Sequence, residues 1–245
     1  MTITLEHCHI ARGWSALRSN EYSTHVIRLD YQWLYGLTAA QNNLLRDPIG
    51  SNTPDIPSHQ SSNWSLMMPR LFAGIEIPSS ISTMLSLQKG GLHGARWINE
   101  ANYHITLHYM GDVDYDLANE IAFQMSQIQL PEFDLSLHGF GSFGSKNPHS
   151  VFAAVKTCED LTLLHQDITS RMRRLGLKSD KHDYTPHVTL ARLNKSAAPI
   201  DVANYLALHG NFRTQDFTVP RFVLYSSRDS IGGGPYVVEE TFDLL

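Results

Sequence analysis

Cysteine is nearly missing from this chain: only Cys8 and Cys158 occur, far apart and without the paired spacing of thiolate ligands. Neither a disulfide framework nor a thiolate zinc site is therefore indicated, and reduced thiols in the cytoplasm are the plain expectation. No apolar run reaches the roughly eighteen residues of a membrane span. The basic-then-apolar layout of a secretory leader is missing too. There is no basic excess either, since 19 Lys and Arg face 24 Asp and Glu for a net charge of −5. Broad nucleic-acid-binding surfaces usually carry an excess of Lys and Arg, so such a surface is not expected. A small pocket that grips one terminal nucleotide remains compatible with the charge. With 245 residues, the chain is long enough for one large domain or two small lobes.

Histidine, by contrast, is plentiful, with thirteen copies. Two of them share a grammar: Tyr103-His104-Ile105-Thr106-Leu107-His108 and, 83 positions later (187 − 104), Pro186-His187-Val188-Thr189-Leu190-Ala191. In a β-strand alternate side chains share a face, so His and Thr two apart stand together while Ile105 and Leu107 turn to a core. Two such strands could bring two imidazoles and two hydroxyls to one cleft. Opening a phosphodiester needs one group to take a proton from water and another to give one to the leaving oxygen. Histidine titrates close enough to neutrality to do either. Thr106 and Thr189 would donate to non-bridging phosphate oxygens. No metal or other cofactor is required, and a His-based zinc hydrolase lacks carboxylate or cysteine ligands at motif spacing. The plain alternative is a pair of partly buried strand histidines with satisfied hydrogen bonds.

Periodicity sketches the rest. Residues 1 to 68 show no sustained period, with at most a short strand or helix at 22 to 37, and from Asp47 to Ser65 they read as a flexible linker; an appended, non-core extension is expected. From residue 69 the signals are ordered. A half-buried strand is expected from Leu71 to Ile77, then a helix capped by Ser79 or Ser80 and ended at Gly90-Gly91. Strand 103 to 110 follows, then a helix from Asp114 to Leu130. Strands are expected at 132 to 140 and 150 to 156, with a loop over Gly139 to Lys146. A helix at 159 to 175, strand 186 to 192, a short helix at 200 to 207 and strands at 216 to 226 and 236 to 243 complete an α+β chain. His108 shares the face of His104 and Thr106 on a regular strand, so it is a further candidate for the cleft. Phe72 is a candidate for stacking on a nucleobase. The cluster Arg171, Arg173 and Arg174 complements a helix dipole and is not read as an RNA patch.

The paired His-x-Thr motifs resemble the 2H phosphoesterase superfamily. Arg70-Leu71-Phe72-Ala73-Gly74-Ile75, Trp97, Gly111, Thr185-Pro186, Arg192 and Phe222-Val223-Leu224-Tyr225-Ser226-Ser227 narrow the likeness to the RNA 2',3'-cyclic phosphodiesterase family, also called LigT-like or 2'-5' RNA ligase. The resemblance covers about residues 69 to 245. It implies a bilobal fold with two antiparallel sheets, flanked by helices, around a central cleft, each lobe giving one motif. It implies hydrolysis of 2',3'-cyclic phosphate at RNA or nucleotide ends to a 2'-phosphate by a monomer, with His104 and His187 as acid and base. His187 is the first choice for base. It also implies that Arg192 contacts phosphate, although an ideal strand would turn a residue five beyond His187 away from the cleft. The Gly139 to Lys146 segment should border that cleft. Two alternatives stay open: 2'-5' RNA ligation, the reverse of ring opening, and a non-catalytic nucleotide or RNA-end binder using the same cleft.

Overall fold

Both histidine motifs lie on strands at the middle of one antiparallel sheet. The computed structural model describes residues 70–144, 146–178, 183–227 and 234–245. The expected extension at 1–68, with its possible element at 22–37, lies outside the described residues. In order, the elements are β1 (Arg70–Glu76), α1 (Ser79–Ser86), β2 (Ala95–Trp97), β3 (His104–Asp112), α2 (Tyr115–Ser126), β4 (Phe133–Leu135), β5 (Leu137–Phe143), β6 (Ser150–Val155), α3 (Glu159–Arg174), β7 (His187–Leu193), α4 (Pro199–Leu208), β8 (Phe217–Val219), β9 (Arg221–Ser227) and β10 (Tyr236–Asp243). Among the described residues, no helix is long and apolar enough to cross a membrane.

The strands run β10-β9-β1-β3-β7-β6-β5, with β2 beside β7 and a separate β4-β8 pair. At the centre, β3 and β7 pair only through Ile105 and Val188. This narrow seam divides the sheet into the two antiparallel halves expected of an α+β bilobal fold. Read outward from the seam, each half has the same plan: a motif strand (β3 or β7), an inner strand (β1 or β6), then β9 or β5. Chain connectivity exchanges the third strand, because β5 follows α2 but joins the second half, while β9 follows α4 and returns to the first. Each half is therefore closed by a strand from the other half of the chain.

Local chemistry explains most element ends. Asp114 caps α2 by accepting from the Leu117 N–H at 2.8 Å. Cys158 caps α3 through its Sγ, 3.4 Å from the Leu161 N–H. Glu159 and Asp160 sit in its first turn and Arg171, Arg173 and Arg174 in its last, each charge matching the helix dipole. The helix runs to Arg174 with Leu175 as its C-cap, and Gly176 just beyond it turns the chain away at a φ of +81° that favours a residue without Cβ. At α1 the expected serine cap is not used: Pro78 occupies the N-cap, and the buried Ser82 hydroxyl donates to the Ile77 carbonyl.

Three expectations change in detail. β1 is not half-buried, since Leu71, Phe72, Ala73, Gly74 and Ile75 are all covered. It lies between β3 and β9 with a core on one face and aromatic rings on the other. The strand expected at 216–226 is broken by Pro220, which cannot donate to a ladder, so β8 pairs with β4 and β9 with β1. The strand expected at 132–140 is interrupted after Leu135, and of the glycine-rich stretch expected as a loop from Gly139 to Lys146, Gly139 to Phe143 belongs to strand β5. Gly139, at φ +66°, marks a bulge there, after which Phe140 faces Ala153 of β6.

One apolar core joins both halves. It contains Ile105 and Val188 at the seam, Leu85 of α1, Ile121 and Met125 of α2, and Leu161, Leu164, Ile168 and Met172 of α3. Because these residues occupy the helix-covered face, the motif side chains on the other face are left to form a cleft.

Candidate active site

On β3 the alternation holds for four residues: His104 and Thr106 are partly exposed while Ile105 and Leu107 are buried. On β7, His187 and Thr189 stand out while Val188 and Leu190 are buried. The antiparallel sense at the Ile105–Val188 pair then sets His104 on the side of Thr189 and Thr106 on the side of His187. Each imidazole thus faces a hydroxyl supplied by the other half.

Both strands then bulge at the same distance from their histidine. Gly74 pairs with Thr106 but Ala73 with His108, so β3 carries one extra residue, Leu107, against β1. Likewise Phe152 pairs with Thr189 but Val151 with Ala191, leaving Leu190 as the extra residue of β7. A bulge shifts the phase of every side chain after it. Arg192 consequently joins His187 and Thr189 at the cleft, although a regular strand would turn it away. By the same shift His108 is taken out. It was expected beside His104 and Thr106; instead it is buried on the helix side, with Nδ1 3.1 Å from the Thr169 hydroxyl of α3. Tyr109, half exposed, takes the cleft position. Tyr109 and Arg192 each lie five residues after their histidine, an equivalence that was present in the sequence.

The imidazoles are held alike. His104 Nδ1 lies 2.8 Å from the Asn102 carbonyl, and His187 Nδ1 lies 2.8 Å from the Thr185 carbonyl. A carbonyl oxygen only accepts, so each Nδ1 carries a proton and Nε2 is left for chemistry. Aromatic rings back both histidines. Phe72 lies 5.0 Å from His104 between centroids, and Tyr236 meets the same imidazole edge-on at 5.0 Å. Phe143 and Phe152 lie 4.8 and 5.2 Å from His187. Phe72 itself is 5% exposed and stacks on Tyr225 at 4.9 Å. It therefore supports the His104 ring and does not offer the open face that base stacking needs.

This packing sets the electrostatics. Burial pulls His104 down to about 4; the bond to the Asn102 carbonyl opposes the fall, and the His187 and Arg192 charges add to it. His187 is lowered as well, first by burial, against the Thr185 carbonyl and together with Arg192. Arg70 at the cleft edge is tied to Asp112 at 2.9 Å. Among the described residues, no carboxylate lies within ion-pair distance of Arg192. The cleft therefore carries an unneutralised guanidinium beside two imidazoles, which suits an anionic ligand.

The cleft has a volume of about 440 Å³ and is walled further by Asn102, His149, Ser150 and Ser227. Phe143, from the segment expected to border it, is one of its walls. Sequence reasoning missed Tyr109, Phe143, Phe152 and Tyr236 as individual residues. Tyr109 had a readable signal in its offset from His104, and Phe143 in the segment expected at the cleft; Phe152 and Tyr236 had none. Among the described residues, no three His, Cys, Asp or Glu side chains gather as a metal-ligand set.

Comparison with known proteins adds a family. A family model described as the 2'-5' RNA ligase superfamily matches residues 86–230, a span that contains both motifs and Arg192. A protein of Archaeoglobus fulgidus named RNA 2',3'-cyclic phosphodiesterase is 25% identical over 162 residues, covering 63% of this chain and 92% of the relative. A Thermotoga maritima protein of the same name is 28% identical over 177 residues, covering 69% and 92%. Among solved structures, E. coli LigT complexed with 3'-AMP aligns with a TM-score of 0.59 at 21% identity, over 72% of this chain and 98% of that one. That last likeness is one of fold.

Proposed function

This chain belongs to the 2'-5' RNA ligase superfamily, and for it we propose metal-independent hydrolysis of 2',3'-cyclic phosphates at RNA or nucleotide ends, leaving a 2'-phosphate. The observation that carries the proposal is the arrangement at the seam. Two imidazoles with fixed Nδ1 protons meet two hydroxyls and a free guanidinium on one cleft face.

In this reading the cyclic phosphate sits between the motif strands. Thr106 and Thr189 donate to its non-bridging oxygens, and Arg192 neutralises the charge that develops there. A water attacks phosphorus as the bond to the 3'-oxygen breaks. One Nε2 takes the water proton, and the other, protonated, gives its proton to the departing 3'-oxygen. The cleft favours His104 as base and His187 as acid, the reverse of the first choice from sequence. His104 lies deeper among rings and is held to about 4, so it is neutral and ready to accept a proton near pH 7. The anionic phosphate raises both imidazoles on binding, which lets the less buried His187 hold the proton it must donate.

The test is turnover of 2',3'-cyclic nucleotides with the product followed by phosphorus NMR. A 2'-phosphate is expected. Binding without turnover would move the assignment to a nucleotide-binding protein, and a 3'-phosphate would reverse the leaving oxygen.

A further inference from the structure

A second recess of about 760 Å³ adjoins the cleft and shares four of its walls, Thr106, Tyr109, Phe143 and His187. Its floor is a stacked pair, His165 and Tyr184, with ring centroids 3.8 Å apart and planes 6° from parallel. Both rings are pinned to the bulged strand. His165 Nδ1 lies 2.8 Å from the Leu107 carbonyl, and the Tyr184 hydroxyl donates to the Thr106 carbonyl at 3.2 Å. The bulge that removes His108 from the cleft thus also anchors the floor of the neighbouring groove.

The far wall is α3, and it carries one uncommitted charge. Arg171 is held by Asp167 and by the carbonyls of Gln124 and Gln127, and Arg174 donates to Ser170. Arg173 is exposed, lines the groove, and among the described residues has no such partner. The opposing charge on the groove wall is Asp183.

Resting on the phosphodiesterase reading, we propose that this groove holds the nucleotide preceding the reacting one, with Arg173 meeting a backbone phosphate. The first cleft is the size of a site for one small ligand. An RNA end carries its chain away from the reacting phosphate, and the wall shared at Thr106 and His187 opens that path into the second groove. Arg173 supplies the sequence-independent charge that phosphate contacts use. The protein should therefore favour oligoribonucleotide ends over free cyclic mononucleotides.

The test compares kcat and KM for a 2',3'-cyclic mononucleotide and for a trinucleotide ending in the same cyclic residue. Wild type should favour the trinucleotide. Arg173→Gln should raise KM for the trinucleotide severalfold, leave kcat alone, and leave both constants for the mononucleotide unchanged. Asp183→Asn should shift the trinucleotide KM the opposite way. The slope of log KM against log salt for the trinucleotide should fall by about 0.7 in Arg173→Gln, the share of one phosphate on a single strand. Equal losses on both substrates, or an unchanged trinucleotide KM and salt slope, would overturn the groove assignment while leaving the phosphodiesterase intact. If wild type turns over neither substrate, the phosphodiesterase reading itself falls, and this one with it.

Discussion

Replacing Arg192 by Gln removes a positive charge that depresses both imidazoles, so the substitution should move the pH–rate profile as well as lower it. In the free protein, kcat/KM rises with pH as the base loses its proton and falls as the acid loses its own. Arg192 lowers both pKa values, so removing it raises both and shifts both limbs to higher pH. Diagonal neighbours on one face of paired strands, the relation of Arg192 to His104 across the seam, are roughly 7–8 Å apart. At that range a unit charge acting through an effective dielectric of about 20 to 40 is worth about 1–2 kcal/mol. Since about 1.4 kcal/mol is one pH unit, and the guanidinium is exposed to solvent, the displacement should be about 0.5–1 unit. Loss of a charge-assisted bond to phosphate, about 1.5–3 kcal/mol, should also reduce kcat/KM by about ten- to 150-fold. Arg192→Lys separates the two effects: it should keep the profile in place while losing the two-pronged contact. Initial rates on a 2',3'-cyclic nucleotide from pH 3 to 9 at constant ionic strength would show this. A profile of Arg192→Gln that stays fixed, or moves to lower pH, would refute the placement of Arg192 beside both imidazoles.

Other substitutions probe the supporting structure. A Cβ at Gly141 would lie 2.6 Å from Cζ of Phe152, whose ring is buried against Phe143 and His187. Gly141→Ala should therefore destabilise by about 1–3 kcal/mol in chemical denaturation and reduce turnover by disturbing His187; wild-type activity would show that the Phe152 ring does not set that imidazole. Saturating EDTA should leave the pH profile unchanged, whereas an EDTA-sensitive rate restored by zinc would replace the two-histidine mechanism with a metal one. A chain begun at Met68 should melt and turn over as the full chain does. Melting several degrees lower, as a loss of about 1 kcal/mol would produce, would place part of the leading segment against the lobes.

The motif faces were legible because strand alternation is local: His104, Thr106, His187 and Thr189 needed no knowledge of their neighbours. The apolar stripes of α2 and α3 were legible for the same reason. What lay out of reach depends on pairing between distant segments. The two bulges exist only in the registers of β3 with β1 and of β7 with β6. They reverse the regular-strand expectation at His108 and bring Arg192 to the cleft, where a regular strand would not have put it. The full burial of β1 depends on Tyr225 and Tyr236, brought over Phe72 by strands some 150 residues away (225 − 72 = 153). The exchange of β5 and β9 between halves is likewise a property of topology, although Pro220 marked the break that lets β8 and β9 take different partners.

Steady-state turnover of a 2',3'-cyclic nucleotide by His104→Ala and by His187→Ala, each checked for an unchanged melting profile, tests the two-imidazole mechanism most directly. Each variant should lose about two to four orders of magnitude in kcat, the usual contribution of a general acid or base. The residual kcat/KM of His104→Ala should no longer rise with pH through about 4, the limb assigned to the base in the free protein. A folded variant of either kind that keeps wild-type kcat would contradict the mechanism.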